Sequence, residues 1–202
     1  MPHARPKSSA PPTLRSRVRW LFAAAALIGT GPIAAADFSV GVGAGADRGW
    51  VDCVASFACD RGSAGWKLFA GYQLSEAVDV QAVWFDAGRF KGGDTTPLGT
   101  EFGGIFKVSG FGLTGGYRWD FAPSWSLAGR VGLAAMRTRF DYANAALGSA
   151  SKTTVQPLLG LGLGYAITPT VRLSLDYDLT RFEVHTTRGP LQMLGVAAQY
   201  SF

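Results

Sequence analysis

From Val171 to Thr180 the chain alternates without a break. Val171, Leu173, Leu175, Tyr177 and Leu179 fall on one side of an extended backbone, and Arg172, Ser174, Asp176, Asp178 and Thr180 fall on the other. A period of two belongs to a β-strand, whose successive side chains point to opposite faces. This stretch therefore predicts a strand with one apolar and one wet side. The pattern recurs in Phe38–Ala46, Trp66–Gln73, Val78–Trp84, Phe111–Trp119, Trp125–Ala134, Leu159–Ile167 and Leu194–Phe202. Each sets large apolar residues against Gly, Ala, polar or charged ones, which makes eight strands.

The connections alternate in length. Short turns are expected at Ser75–Ala77, Phe121–Ser124 and Thr168–Thr170. Longer polar or Gly-rich segments are expected at Asp47–Ser63, Ala87–Gly103 and Arg137–Lys152, with a shorter one near Glu183–Leu191. Short turns on one rim and long loops on the other are the layout of outer-membrane barrels. The predicted fold is an all-β, eight-stranded, antiparallel up-and-down transmembrane barrel.

The chemistry of the two faces separates this reading from a soluble carrier barrel, which turns bulky apolar residues inward. Here the charged face also carries most of the glycines and alanines, and the opposite face carries the leucines and aromatics. An eight-stranded barrel has an interior just wide enough for side chains to fill. Small residues and a few long polar ones suit that space, and the leucines and tryptophans are expected outside, against lipid. Tyr72, Trp119, Trp125, Tyr165, Tyr200 and Phe202 lie near the short turns, where an interfacial aromatic girdle belongs.

The charge balance is misleading at first sight. The chain has 202 residues, 19 basic against 14 acidic, and a pI near 9.5. Residues 1–36 contain Arg5, Lys7, Arg15, Arg17 and Arg19 and no acidic residue. The remaining 14 basic residues match the 14 acidic ones, so no basic excess remains to attract nucleic acid. The cationic start, the apolar run Trp20–Ile28 and the ending Ala34-Ala35-Ala36 predict a cleaved signal peptide over 1–36. The run is shorter than the roughly 20 residues a spanning helix needs. The domain assignment is thus 1–36 signal peptide and 37–202 barrel. Cys53 and Cys59, in the exported part, are expected to form a disulfide in an oxidising compartment. Their spacing does not suit a zinc site, and no cofactor is expected.

Three stretches resemble the OmpA-like outer-membrane β-barrel family, and in particular its small single-domain members without a peptidoglycan-binding domain. They are Trp66–Gln73 followed by Val80–Gly88, the Leu-Gly repeat Leu159–Tyr165, and the ending Leu194–Phe202. Gln81 departs from the acidic residue often found at its position. The resemblance implies a multi-pass protein of the Gram-negative outer membrane, with outer-membrane lipid and lipopolysaccharide around it. It also implies assembly by periplasmic chaperones and the barrel assembly machinery, with Tyr200 and Phe202 as the C-terminal signal. A monomer is expected.

The inward polar residues are the candidate site. Lys67, Arg130, Asp176 and Asp178 are expected near mid-height, Asp79, Arg118 and Arg172 lower, and Gln81 among them. Opposite charges in a narrow lumen should pair, because unpaired ones carry a large desolvation penalty. The first reading is a non-enzymatic barrel with a structural or surface role. A narrow porin-like channel is the second, and adhesion through long loops carrying Trp50 and Phe57 is the third. The stretch Phe182–Thr187 resembles lipid A deacylases around His185, but a Thr stands where a Ser nucleophile would follow and no acidic partner lies downstream. A nucleophile needs a base and a group to orient that base, so His185 is read as a loop histidine.

Overall fold

Alternation of period two leaves every backbone N–H and C=O pointing sideways along the sheet, and in lipid these groups must find partners within the protein. The chain meets that demand by closing on itself. The computed structural model describes residues 38–51, 53, 58–95, 101–184 and 187–202. The segment expected as a signal peptide, Phe57 and His185 lie outside the described residues.

Eight strands form one closed antiparallel barrel in sequence order. They are β1 (Phe38–Gly49), β2 (Gly62–Gln73), β3 (Val78–Thr95), β4 (Glu101–Ala122), β5 (Trp125–Tyr142), β6 (Ser149–Ala166), β7 (Val171–Val184) and β8 (Thr187–Ser201). β1 closes the ring by pairing with β8 from Ser39↔Ser201 to Gly49↔Leu191. The short turns fall where the sequence puts them.

The other connections do not. β3 and β4 continue as a paired ladder out to Thr95↔Glu101, and β5 and β6 out to Asp141↔Ser149. β7 and β8 meet at Val184↔Thr187. The segments expected as long loops are therefore mostly strand. Gly, Thr and Ser hide the alternation there, and long-range pairing rather than local propensity holds the ladder. Only the connection between β1 and β2, clasped by the Cys53–Cys59 disulfide, keeps substantial length outside the strands.

The lipid-facing assignment is sharp in the lower half. Leu161, Leu175 and Val196 point outward, with 59%, 50% and 65% of their surface exposed. All six girdle aromatics named above are also exposed on the outer wall. A second aromatic pair, Trp66 and Trp84, stands edge to face at 4.7 Å toward the other end of the apolar band.

Toward the end away from the short turns the two faces exchange chemistry. Phe85, Phe90, Phe106, Phe140 and Phe182 turn inward and are fully buried, together with Met136, Val108, Leu191 and Val51. The Phe106 ring lies 4.6 Å from Phe140 and 6.2 Å from Phe182. This corrects the expectation that bulky apolar residues sit only outside. Above the hydrocarbon the surroundings are aqueous, so apolar residues go in and polar ones go out, as in a soluble protein. A bulge between Asp86 and Arg89 carries β3 through the change. It inserts one residue, so that Phe85 and Phe90, of opposite parity, both face the core. Gly88, at φ 75°, supplies the left-handed backbone it needs.

Two seams open in this upper half. The β6–β7 ladder ends at Leu159↔Leu179, and the β2–β3 ladder ends at Trp66↔Asp86. Side chains bridge the first instead. Thr180 Oγ1 donates to the Pro157 carbonyl at 2.8 Å and Lys152 pairs with Glu183 at 2.8 Å. Across the other seam, Asp60 and Lys91 exchange backbone hydrogen bonds.

Two substitutions separate the halves. Phe106→Ala should cost about 3–5 kcal/mol, the usual loss for a buried phenylalanine. Leu161→Arg should cost about 2–4 kcal/mol, because a cation is placed toward the middle of the lipid-facing wall. Denaturant unfolding of the refolded barrel in phosphatidylcholine vesicles measures both. In detergent micelles the Phe106→Ala loss should persist and the Leu161→Arg loss should shrink.

Candidate functional site

The glycines of β6 create the space for the lumen charges. Gly160 stands between Arg130 of β5 and Asp178 of β7 in the ladder, and Gly162 faces Asp176. A Cβ at Gly160 would lie 2.5 Å from Asp178 Oδ1 and 3.0 Å from Arg130 Nε, and one at Gly162 would lie 2.6 Å from Asp176 Oδ1. The Leu-Gly repeat is thus a two-sided device, with leucine for lipid and nothing where the charged side chains must pass.

In that space four residues from three strands meet across the barrel. Lys67 Nζ of β2 lies 2.6 Å from Asp178 Oδ2 and 3.0 Å from Asp176 Oδ2. Arg130 Nη2 of β5 lies 3.0 Å from Asp176 Oδ1 and 3.5 Å from Asp178 Oδ1. Two cations and two carboxylates form a compact neutral group, and Ser174 Oγ donates to Asp176 Oδ2 at 3.2 Å. Gln81 lines a small cavity beside Lys67, Arg130, Thr114 and Asp178.

The lower residues are arranged more loosely. Arg118 Nη2 donates to the Glu76 carbonyl at 2.9 Å, and its Nε lies 3.4 Å from an Asp120 carboxylate oxygen. Arg118 and Arg172 line a recess of about 430 Å³ at the end of the barrel bearing the short turns, beside Gln73, Thr168, Thr170 and Ser201. Asp79 Oδ1 and Arg172 Nε are buried with no hydrogen bond among the described residues.

Sequence reasoning missed Asp47, which it placed in a loop. Asp47 is buried on the lumen side of β1 and lines a cavity with Lys67, Asp176 and Asp178. Its signal was available, since it continues the odd-numbered inward face of Ser39, Gly41, Gly43 and Gly45. The phenylalanine layer was missed for a different reason: it lies on the same inward face, but beyond the height at which that face ceases to be polar.

At the remaining positions, Cys53 and Cys59 are joined, with Cα atoms 5.5 Å apart. Trp50 is exposed with the Arg48 and Arg61 guanidinium groups over its ring at 5.4 and 5.8 Å. Tyr200 and Phe202 touch edge to face at 5.1 Å, and the Phe202 N–H donates to the Phe38 carbonyl.

A closed eight-stranded ring, an outward apolar band between aromatic girdles and a filled lumen define a small outer-membrane β-barrel. The chain belongs to the family described as the outer membrane protein beta-barrel domain, whose model matches residues 21–202, and it resides in the Gram-negative outer membrane. The match begins within the segment read as a signal peptide. Similar solved structures include Neisserial surface protein A, with a TM-score of 0.59, 17% identity, and 82% of this chain and 97% of that one covered. They also include Ail, the attachment invasion locus protein of Yersinia pestis, with a TM-score of 0.51, 16% identity and coverage of 82% and 99%. The N-terminal β-barrel domain of Pseudomonas aeruginosa OprF matches with a TM-score of 0.50, 16% identity and coverage of 81% and 97%. At these identities the likeness is one of fold. No curated protein matches the sequence.

Asp176→Ala leaves Lys67 and Arg130 facing the single carboxylate of Asp178 in a buried site. Removing one member of a buried charge group costs about 3–5 kcal/mol, read as a lowered urea midpoint of the refolded protein. Gly162→Ala should also destabilise, by about 1–3 kcal/mol, because its Cβ collides with Asp176.

Proposed function

We propose that this protein is a blocked, non-enzymatic outer-membrane barrel with a structural and surface role rather than a conduit. One observation carries the reading: the lumen is filled at two heights by unlike chemistry. At mid-height, Lys67, Arg130, Asp176 and Asp178 are tied across the axis, and the cavities beside them measure about 30 and 20 Å³. Each has room for roughly a single water, not for a hydrated ion in transit. Above them lies the phenylalanine layer of Phe85, Phe90, Phe106, Phe140 and Phe182. An ion crossing it would lose its water against rings that offer no compensating ligand.

The partners follow from the same features. Closure leaves no strand edge within the apolar band for a second copy to extend, which favours a monomer. Tyr200 and Phe202, exposed on the outer wall and packed edge to face, are the residues we assign to recognition by the barrel assembly machinery after removal of segment 1–36. Lipopolysaccharide is the expected neighbour on the outer leaflet.

Reconstitution into planar bilayers tests the reading. The wild-type barrel should give no discrete steps above leak, and Phe106→Ala alone should give none, because the charge layer still closes the axis. Reproducible unitary steps from folded wild-type protein would support the narrow porin-like reading in its place. Heat-dependent gel mobility of the same sample verifies that the tested protein is folded.

A further inference from the structure

Gly164, the last glycine of the β6 repeat, leaves room for Arg172 as Gly160 and Gly162 do for the charges above it. A Cβ at Gly164 would lie 3.1 Å from Arg172 Cδ. Arg172 therefore turns into the lumen mouth at the short-turn end, where Arg118 enters from β4, three places away around the ring. At mid-height every cation is tied: Lys67 holds Asp178 at 2.6 Å and Arg130 holds Asp176 at 3.0 Å. At the mouth that rule lapses. Arg172 has no ion pair among the described residues, and its Nε is buried without a hydrogen bond. Arg118 has one loose contact, 3.4 Å to Asp120, and its Nε also makes no hydrogen bond. Asp79, placed over Gly116, lies beyond ion-pair distance of both arginines.

Both arginines open on the recess of about 430 Å³ described above. Gln73, Thr168, Thr170 and Ser201 share its wall, and no aspartate or glutamate does. Pockets of about 300–1,000 Å³ are the size that holds small molecules. The recess is blind, because the mid-height charge group and its water-sized cavities close the lumen above it. A solute can reach it only from the short-turn end, which in outer-membrane barrels faces the periplasm. A narrow cleft carrying one sign of charge on low-dielectric walls concentrates ions of the other sign. A partly buried guanidinium without a counterion also bears a desolvation penalty, which an arriving anion would offset.

We propose that this mouth binds a small phosphate-bearing solute from the periplasmic side, with the phosphate held by Arg118 and Arg172. The rest of the molecule lodges beside Thr170 and Ser201, whose hydroxyls suit a polar, hydroxylated body. Phosphate fits two arginines better than carboxylate does. Each guanidinium fork engages two oxygens; a carboxylate has two in all, whereas a phosphate monoester offers three and the larger charge. Binding at the mouth is read by calorimetry and closure of the lumen by conductance, so either reading can fail alone.

The test is isothermal titration calorimetry of the refolded barrel in lauryldimethylamine oxide micelles, which leave both mouths open, in a phosphate-free buffer. The probes are glucose 6-phosphate, inorganic phosphate, succinate and glucose. Glucose 6-phosphate should bind saturably, inorganic phosphate should compete with it, and glucose should give no binding. The relative affinity of the two phosphates tells whether the occupant is an ester or the free ion; saturable binding of either supports the site. Arg172→Gln should weaken glucose 6-phosphate binding about tenfold or more, the loss expected for a charge-assisted hydrogen bond. Arg172→Lys, which keeps the charge and loses the fork, should fall between that variant and wild type. Thr170→Asp, in an exposed turn, sets a carboxylate on the wall of the recess and should weaken binding about fivefold. Arg181→Gln, at the other end of β7, should bind as wild type does. The proposal is overturned if neither phosphate binds saturably, or if succinate binds as tightly as they do. It is equally overturned if Arg172→Gln binds as wild type, or if Thr170→Asp does so where Arg172→Gln fails to fold. Arg181→Gln losing as much as Arg172→Gln would sink it too.

Discussion

In hydrocarbon a peptide group has no partner except another peptide group, and the whole molecule follows from that restriction. A sheet that crosses lipid must close, and eight strands close into a ring too narrow to hold bulk water. Once it is closed, the side chains on its inner face must fill the ring, and any charge among them must find its opposite within a few ångströms. The Leu-Gly repeat of β6 meets both conditions. Its leucines provide surface for acyl chains, and its glycines leave a slot through which Arg130 reaches Asp176 and Asp178, while Lys67 meets the same carboxylates from the opposite wall.

The surroundings change along the barrel axis, and the side chains change with them. In the lower half lipid lies outside, and the apolar face is the outer one. In the upper half the outside is aqueous, and the same strands turn phenylalanines inward and arginines and lysines outward. β5 shows the exchange without any bulge: Leu127, Val131 and Leu133 face out below, Arg137 and Arg139 face out above, and Met136 and Phe140 lie inside at that height. β3 makes the exchange through its bulge at Asp86–Arg89. The upper half can tolerate open seams between β2 and β3 and between β6 and β7 because water can satisfy what the ladder does not. Within the lipid band the same gaps would leave backbone groups unpaired at a cost of several kcal/mol each.

The two layers that fill the lumen differ in what they contribute. Phenylalanines gain free energy simply by leaving water. A buried charge group gains little over a well-packed apolar one, and becomes costly only when broken. What the charge group contributes to the fold is register. A slip of one residue in β2, β5 or β7 would turn Lys67, Arg130 or the two aspartates out into lipid.

The sequence alone determined the strand count, the strand order and the lipid-facing side in the lower half, since period two and the size of the side chains are local properties. It also named every member of the mid-height charge group, because inward parity and charge can both be read along one strand. It did not show how far the strands run past the membrane, that Asp47 belongs to the lumen, or that phenylalanines close the upper end. Only the tertiary structure decided these points. Beyond the lipid the rule for which face is apolar inverts, and the height of that inversion depends on how eight strands are staggered against one another. Which inward side chains meet at one height is fixed by the same stagger, because register across strands is a property of the closed sheet and not of any one segment.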